Sequence, residues 1–278
     1  MSNIVTRALS GAVFVAVMVG SVLLHQYAYA GVLVAVIVWA IFEFGEIIKE
    51  KIFFDKMIGV LFGVTLFAIS FFYAQGLVAE KSFLIVIPIL ILLFIKQLYS
   101  KNHQPFHTIA YTLTGVAYIA LPLSLCNGLA FPSVDGAFPN PDSKYTPALL
   151  LGLFILLWTN DTFAYLTGIM FGKHRLFERV SPKKSWEGFF GGLLCTVATS
   201  VLVARFFPIL PFYHWMAVAT IIVIFGVYGD LIESLLKRNL NMKDSGRFLP
   251  GHGGILDRFD SVLIAAPMVF FYVKWFVF

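Results

Sequence analysis

Long apolar runs, separated by short polar segments, dominate the pattern of residues along the chain. An α-helix needs about 20 mostly apolar residues to cross the ~30 Å hydrocarbon core of a bilayer. The runs that approach this length cover residues 8–24, 27–48, 57–77, 83–99, 109–130, 148–172, 189–207, 215–236 and 262–278. Because they are continuous and do not alternate with polar residues, they favour helices over a barrel. The pattern predicts an all-α, polytopic integral membrane bundle with about nine transmembrane helices.

Composition and the distribution of basic residues predict the orientation of this bundle. Of the 278 residues, 59% are hydrophobic and 13% are charged, which excludes a soluble protein. Short cytoplasmic loops are enriched in Lys and Arg. With the N-terminus in the cytoplasm, all but four of the 20 basic residues lie on that side, the exceptions being Lys81, Lys144, Arg205 and Lys274. We therefore expect a cytoplasmic N-terminus. The net charge of +5 needs no nucleic-acid partner, because such loops face anionic lipid headgroups.

Ionisable residues are unevenly distributed between the two halves of the chain. Residues 1–130 carry few of them, whereas residues 148–278 hold nearly all of the clustered charge. The intervening segment, 131–147, contains four prolines and one glycine, which is typical of a loop. The sequence predicts an N-terminal scaffold half, 1–130, and a C-terminal catalytic half, 148–278, within one packed bundle.

The densest cluster of charge lies in residues 229–260, between the last two apolar runs. Carboxylates at the mouth of a membrane bundle are costly, so they are functional candidates by default. One helix face carries Asp230, Glu233, Ser234 and Lys237, and a second acidic pair, Asp257 and Asp260, begins the last run. Carboxylates ligate hard cations such as Mg²⁺, and Lys/Arg clusters hold phosphates. The cluster indicates metal-assisted chemistry on a phosphate, and the alternative is a salt-bridged loop that caps two helix ends.

The loop inside this cluster, residues 239–256, combines charged side chains with a glycine-rich stretch. It contains Lys243, Asp244, Arg247 and His252. Glycines there would let backbone N–H groups approach an anion closely. Because the chain has no G-x-x-x-x-G-K-[ST] loop, phosphates would be held by a metal and by basic residues.

Asp161 lies in the middle of the sixth apolar run. A lone carboxylate at that depth costs about 2.5–3.5 kcal/mol, so we expect it to face the bundle interior and to find a partner. One interpretation is a structural hydrogen bond to a neighbouring helix. The other is that Asp161 extends the functional site by contacting metal or nucleotide.

Residues 181–188, just before the seventh run, form a further candidate phosphate site. Ser181 followed by Pro182 predicts a helix N-cap and the first helical position. A helix N-terminus beside Lys183 and Lys184 suits a phosphate, and the alternative is a positive-inside loop with nothing bound. Small residues at 188, 191 and 192 would permit close helix contact.

Glu43 and Glu46 form another acidic pair, at the end of the second run. We interpret them as structural and not catalytic, because no basic or glycine-rich loop accompanies them in the sequence.

Three segments resemble the phosphatidate cytidylyltransferases, also called CDP-diacylglycerol synthases. The signature of that family is matched by Ser234-x-x-Lys237-Arg238, then four residues and Lys243-Asp244-x-Gly246, then Leu249-Pro250-x-His252-Gly253-Gly254-x-x-Asp257-Arg258-x-Asp260. Residues 160–162 and 181–188 also resemble conserved elements of the family, although Ser185 stands where Thr is as common. The N-terminal half is similar only in being hydrophobic and multispanning.

The resemblance implies the reaction CTP + phosphatidic acid → CDP-diacylglycerol + pyrophosphate, assisted by Mg²⁺ and with K⁺ beside it. It implies Asp230 and Asp257 as metal ligands, supported by Asp161 and Asp260. The implied phosphate and substrate contacts are Lys237, Arg238, Lys243, Arg258, Ser181, Lys183, Lys184, Glu187, Asp244, Arg247 and His252. It also implies a homodimer in a lipid bilayer, which we expect to be a bacterial inner membrane with the site on its cytoplasmic face.

Two other functions remain open on the sequence. A CTP-dependent polyprenol or lipid kinase would transfer the γ-phosphoryl group and release CDP. A transporter would couple intramembrane Asp residues to cation flux, but such proteins carry internal repeats or broken helices, and neither occurs here. We therefore favour the nucleotidyltransferase.

Overall fold

A computed structural model describes residues 3–48, 53–100, 104–132, 144–240, 242, 245–246 and 253–278. The apolar runs form helices, because a helix satisfies its own backbone hydrogen bonds in lipid. In the N-terminal part these are α1 (Asn3–Leu24), α2 (Gln26–Ile47), α3 (Phe53–Ala74), a 3₁₀ turn (Glu80–Ile85) leading into α4 (Val86–Leu98), α5 (Pro105–Gly115), a π-helical turn (Val116–Ala120) and α6 (Leu121–Ala130). His25 separates α1 from α2, and its side chain accepts a hydrogen bond from the backbone N–H of Tyr27 at 3.3 Å.

The C-terminal part contains four long helices and one short hairpin. Its elements are α7 (Ala148–Phe171), strands β1 (Arg175–Phe177) and β2 (Ser181–Ser185), α8 (Trp186–Phe206), α9 (Phe212–Asn239) and α10 (Leu256–Phe276). The two strands pair antiparallel, with Arg175 opposite Ser185 and Phe177 opposite Ser181.

The described helices agree with the predicted membrane fold. Eight of them are long and apolar enough to cross a bilayer, and Leu9–Leu24 is a shorter apolar helix. The continuous segment Pro105–Ala130 counts as one of the eight. The all-α class and the count of about nine helices are therefore confirmed.

The chain divides into two compact units. The first comprises Met1–Tyr145 with Asp244–Arg258, and the second comprises Thr146–Lys243 with Phe259–Phe278. In the first unit, α3 packs against α2 and α6. Buried polar groups join these helices: Tyr29 donates to Asn127 Oδ1 at 3.2 Å, and Asn127 Nδ2 donates to the carbonyl of Phe67 at 3.3 Å. The buried carboxylate of Asp55 pairs with Lys96.

The second unit is built on a close contact between α7 and α8. A Cβ added at Gly188 would lie 2.8 Å from the carbonyl oxygen of Ala164, and one added at Gly192 would lie 3.0 Å from Ala164 Cβ. Only residues without a side chain allow this approach, as the small residues at 188, 191 and 192 predicted. The fit brings α7 and the hairpin that precedes α8 to one side of the unit.

The predicted N-cap at Ser181 is wrong. Residues 181–185 form strand β2, and the N-cap of α8 is Ser185, whose hydroxyl accepts the backbone N–H of Gly188 at 3.1 Å. The Ser-Pro pair resembles a helix start, but Ser185 offers the same hydroxyl with the required spacing to Gly188 and an extended backbone, φ −126° and ψ 157°.

Candidate active site

A cavity of about 710 Å³ lies within the second unit, between α7, the hairpin, α8 and α9. Its charged lining side chains are Asp161, Arg175, Lys183, Lys184 and Asp230. Its apolar lining includes Ile169, Leu176, Phe189 and Val227. A cavity with both a charged and an apolar wall can receive a ligand that is itself anionic at one end and apolar at the other.

The ion pair between Lys184 and Asp230 lies at the charged wall. Lys184 Nζ is 2.6 Å from Asp230 Oδ2, and both side chains are only partly buried. Ser234, one helical turn along α9, donates to Asp230 Oδ1 at 3.1 Å, as their shared helix face predicted. Because the pair faces an open cavity, the lysine can exchange Asp230 for a bound anion without leaving a buried charge unpaired.

Asp260 belongs to the same charged group. A Cβ at Gly229 would clash with the backbone of Asp260 and Ser261, so glycine allows α9 to approach α10 directly beside Asp230. Asp260 Oδ1 accepts the backbone N–H of Ser261 at 2.6 Å. Its carboxyl group interacts electrostatically with Asp230, Asp161 and Lys184. The helix contact therefore places Asp260 near enough to the Lys184–Asp230 pair for their charges to interact.

Asp161 lines the cavity from α7 and is exposed there. We predicted that it faces the bundle interior and finds a partner there, and this stays a prediction. Its neighbour Asn160 is buried at 3% exposure, with no hydrogen-bond partner for Oδ1 among the described residues. Both residues line the cavity, and they differ in that Asn160 is buried and Asp161 is exposed.

Glu187, in the first turn of α8, is hydrogen-bonded to His174, which directly precedes strand β1 of the hairpin. Its carboxylate accepts the backbone N–H of His174 at 3.2 Å and lies 2.6 Å from His174 Nδ1. The backbone N–H of Trp186 in turn donates to the carbonyl of His174 at 2.9 Å. These contacts join the segment that leads into the hairpin, which carries Arg175, Lys183 and Lys184, to the first turn of α8, and the substrate-binding role that the resemblance assigns to Glu187 stays a prediction.

The end of α9 carries a second ion pair. Lys237 Nζ donates to Glu233 Oε2 at 2.8 Å, and Glu233 is almost completely buried. Arg238 is exposed. Among the described residues that line the cavity, Lys237 and Arg238 do not occur. Their predicted contacts with phosphates stay predictions.

In the first unit, Asp257 holds the glycine-rich turn before α10. Its Oδ2 atom accepts the backbone N–H groups of Ser245 at 3.2 Å and of Gly254 at 2.8 Å. Arg258, the next residue, is exposed. Lys243, Asp244, Arg247 and His252 lie outside the described residues.

The contacts of Glu43 agree with the structural role that we predicted, but the reason that we gave for it is wrong. Its buried carboxylate accepts the backbone N–H of Ile255 at 2.8 Å and that of Leu256 at 3.4 Å, and it also accepts the hydroxyl of Ser245. We argued that no glycine-rich loop accompanies Glu43, but the loop that it binds follows about 200 positions later. No spacing pattern reports a contact at that separation.

The donor chemistry of the cavity fits Mg²⁺, which takes oxygen ligands. Asp161 and Asp230, which line the cavity from α7 and α9, supply such oxygens. Among the described residues, no three Asp, Glu, His or Cys side chains are grouped so that they could hold a metal ion by themselves. This also fits, because Mg²⁺ is commonly bound by one or two carboxylates together with substrate phosphates and waters.

Comparison with known proteins defines the class to which this site belongs. The sequence model of the cytidylyltransferase family matches residues 5–276. The chain belongs to the cytidylyltransferase family.

Individual curated proteins are also similar to this chain. A phosphatidate cytidylyltransferase of Staphylococcus epidermidis is 41% identical over 172 residues, which are 61% of this chain and 61% of that protein. Those of Staphylococcus haemolyticus and Staphylococcus aureus are 39% and 40% identical over 171 residues, again 61% of each chain. The chain therefore spans about three fifths of the length of the curated relatives that it matches.

Proposed function

We propose that this membrane protein is a phosphatidate cytidylyltransferase, which transfers the cytidylyl group of CTP to phosphatidic acid and releases pyrophosphate. The observation that carries the proposal is the cavity of the second unit, where a basic hairpin meets the carboxylates of Asp161 on α7 and Asp230 on α9. The names of the relatives support the choice of substrates.

In the reaction, an oxygen of the lipid phosphate attacks the α-phosphorus of CTP. A new P–O bond forms there, while the bond from the α-phosphorus to the oxygen that bridges to the β-phosphorus breaks. Pyrophosphate leaves with that oxygen and its electron pair. The lipid phosphate is already largely ionised near neutral pH, so the protein needs neither a nucleophile nor a general base. Positioning and charge neutralisation would supply most of the acceleration.

CTP and phosphatidic acid are both anions and repel each other, so residues of the chain must offset this repulsion. Lys184 exchanges Asp230 for a phosphate oxygen, and Lys183 and Arg175 add positive charge along the hairpin. Apolar side chains such as Ile169 and Leu176 lie beside the first part of the acyl chains. The cavity thereby holds the lipid phosphate in reach of the nucleotide.

Asp161 and Asp230, with Asp260 in support, would hold Mg²⁺ in this site. When bound, Mg²⁺ supplies positive charge to the triphosphate and to the departing pyrophosphate. The further ligand that the resemblance implies, Asp257, stays a prediction, as do K⁺ and the homodimer.

We also propose that the site faces the cytoplasm of a bacterial cell. The proposal is supported by the basic residues of the hairpin and of the α9 terminus, since short cytoplasmic loops are enriched in Lys and Arg. CTP would then arrive from the cytoplasm, and phosphatidic acid would enter from the bilayer.

The position of the transferred label tests this function. Detergent-purified protein is incubated with phosphatidic acid, Mg²⁺ and CTP labelled at either the α- or the γ-phosphorus. We expect lipid-soluble label from α-labelled CTP only, no lipid label from γ-labelled CTP, and loss of both turnover and product with EDTA. Label that enters lipid from the γ-phosphorus, with release of CDP, would show a lipid kinase instead. Cation flux in proteoliposomes without CTP turnover would favour a transporter.

A further inference from the structure

The carboxylate of Glu43, on α2, accepts three hydrogen bonds from residues that follow about 200 positions later in the chain. The residue lies near the end of α2 and is 7% exposed. Its Oε2 atom accepts the N–H of Ile255, and its Oε1 atom accepts the N–H of Leu256 and the hydroxyl of Ser245. Leu256 begins α10, so a side chain from a distant helix caps the first turn of α10.

The same short stretch of backbone also holds Asp257. Ser245 donates its N–H to Asp257 and its hydroxyl to Glu43. Gly254 donates to Asp257, and the next residue, Ile255, donates to Glu43. The two carboxylates therefore bind neighbouring donors of one turn and share Ser245, so a displacement of the turn from Glu43 would displace Asp257 as well.

A side chain on any of the glycines at 246, 253 and 254 would meet one of the two carboxylates. A Cβ added at Gly254 would clash with Glu43 Oε1, and one added at Gly246 would lie 2.9 Å from Glu43 Cδ. Gly253 has a φ of +84°, which favours glycine, and a side chain there would clash with Asp257. The turn is shaped around the two carboxylates.

We infer that Glu43 is a positioning residue: it fixes the turn 253–256 and thereby orients the carboxylate of Asp257. This inference goes beyond the structural role that the sequence indicated for Glu43. Its consequence for turnover rests on the proposed function, in which Asp257 is a predicted metal ligand. Its consequence for the conformation of the turn is independent of the proposed function.

Hydrogen exchange of the full-length, detergent-purified protein tests the inference without an activity assay. Glu43→Gln keeps the size of the side chain but turns an amide N–H₂ towards backbone donors. We expect amide exchange in a peptide that covers 254–257 to become at least about tenfold faster, because Gln keeps only one acceptor oxygen and presents N–H₂ to the donor that faced the other. Peptides from α3 and α6 should exchange as in the unsubstituted protein.

Glu46→Gln is the matched control, since Glu46 lies one turn further along α2 and its side chain is 76% exposed. It should leave exchange at 254–257 unchanged. If Glu43→Gln does not fold, Ser245→Ala takes its place, because it removes one donor and should accelerate exchange at 254–257 by about threefold or more. The inference would be overturned if the folded variant, Glu43→Gln or Ser245→Ala, exchanged at 254–257 as the unsubstituted protein does. It would also be overturned if all peptides exchanged faster by the same factor.

Turnover provides a second readout. In Glu43→Gln the Mg²⁺ concentration for half-maximal rate should rise by at least about fivefold, comparable to the loss of a partner to a metal ligand. A loss of folded protein alone would lower the maximal rate but leave this concentration unchanged. If the unsubstituted protein makes no CDP-diacylglycerol, the proposed function fails, while the exchange experiment still decides the role of Glu43.

Discussion

Glu43 in the first unit and Asp230 in the second are both carboxylates near the end of a long apolar helix, yet their surroundings differ. Glu43 is buried, and its two oxygens accept two backbone N–H groups and one hydroxyl. Asp230 lines a cavity, and its partners are the side chains of Lys184 and Ser234. Backbone donors of a packed turn cannot leave their acceptor without unfolding the turn. A lysine side chain, by contrast, can leave its acceptor while the backbone stays folded.

The difference separates a carboxylate that builds structure from one that can bind a ligand. A buried acceptor loses stability when a donor is left unsatisfied, by about 1–3 kcal/mol for each group. A partly exposed ion pair contributes about 0–1 kcal/mol, so its rearrangement costs little. Asp230 and Lys184 are therefore suited to exchange partners during a reaction, and Glu43 is suited to stay in place.

Asp230→Asn should have the largest effect on turnover and would sharpen this comparison. It keeps the shape of the side chain and its contact with Ser234 but removes the charge that we propose for metal binding. We expect kcat/KM for CTP to fall by at least about 100-fold, as when a charge-stabilising group is removed from an active site. The apparent Tm should change by less than about 3 °C, because the pair is partly exposed.

The control for this variant is Glu178→Gln, an exposed acidic residue in the turn between β1 and β2. It should retain activity and stability. The comparison would break if Asp230→Asn lowered the apparent Tm more than Glu43→Gln does, or if it retained wild-type activity.

Lys184→Gln should have the next largest effect. The lysine is the counter-ion of Asp230 and, in the proposed reaction, a phosphate ligand. Loss of one charge-assisted hydrogen bond of about 1.5–3 kcal/mol lowers the rate by roughly 10- to 100-fold. Lys183→Gln, at the more exposed neighbouring position, should lower it by less than about fivefold, since an exposed charge contributes about 0–1 kcal/mol. Equal losses in the two variants would indicate that the hairpin acts only through its net charge.

Ser185→Ala should have the smallest effect, and it acts on stability. Removal of the N-cap of α8 costs about 1 kcal/mol, which lowers the apparent Tm by roughly 2–4 °C. Ser181→Ala, at the position where the sequence predicted the cap, should leave the apparent Tm unchanged. A larger decrease for Ser181→Ala than for Ser185→Ala would contradict the observed start of α8.

Most of what the sequence predicted correctly came from local patterns of residues. The apolar runs predicted the helices, and the spacing of Asp230 and Ser234 predicted a shared face on which the two side chains are hydrogen-bonded. The hairpin was missed, because a five-residue strand that contains Ser-Pro resembles a helix start. The structural role of Glu43 was predicted, but its partners were missed for a different reason. Its partners, Ser245, Ile255 and Leu256, are brought to it by folding and not by sequence spacing.

Protection of Lys183 and Lys184 from an amine-acylating reagent tests the central claim most directly, namely that the cavity of the second unit binds the reacting phosphates. Acylation of each lysine is measured by mass spectrometry in detergent-purified protein, with and without CTP and Mg²⁺. Lys81, which is exposed in the first unit, is the internal reference. The account predicts that CTP with Mg²⁺ slows acylation of Lys183 and Lys184 and leaves that of Lys81 unchanged. Equal acylation of the two hairpin lysines with and without nucleotide would contradict it.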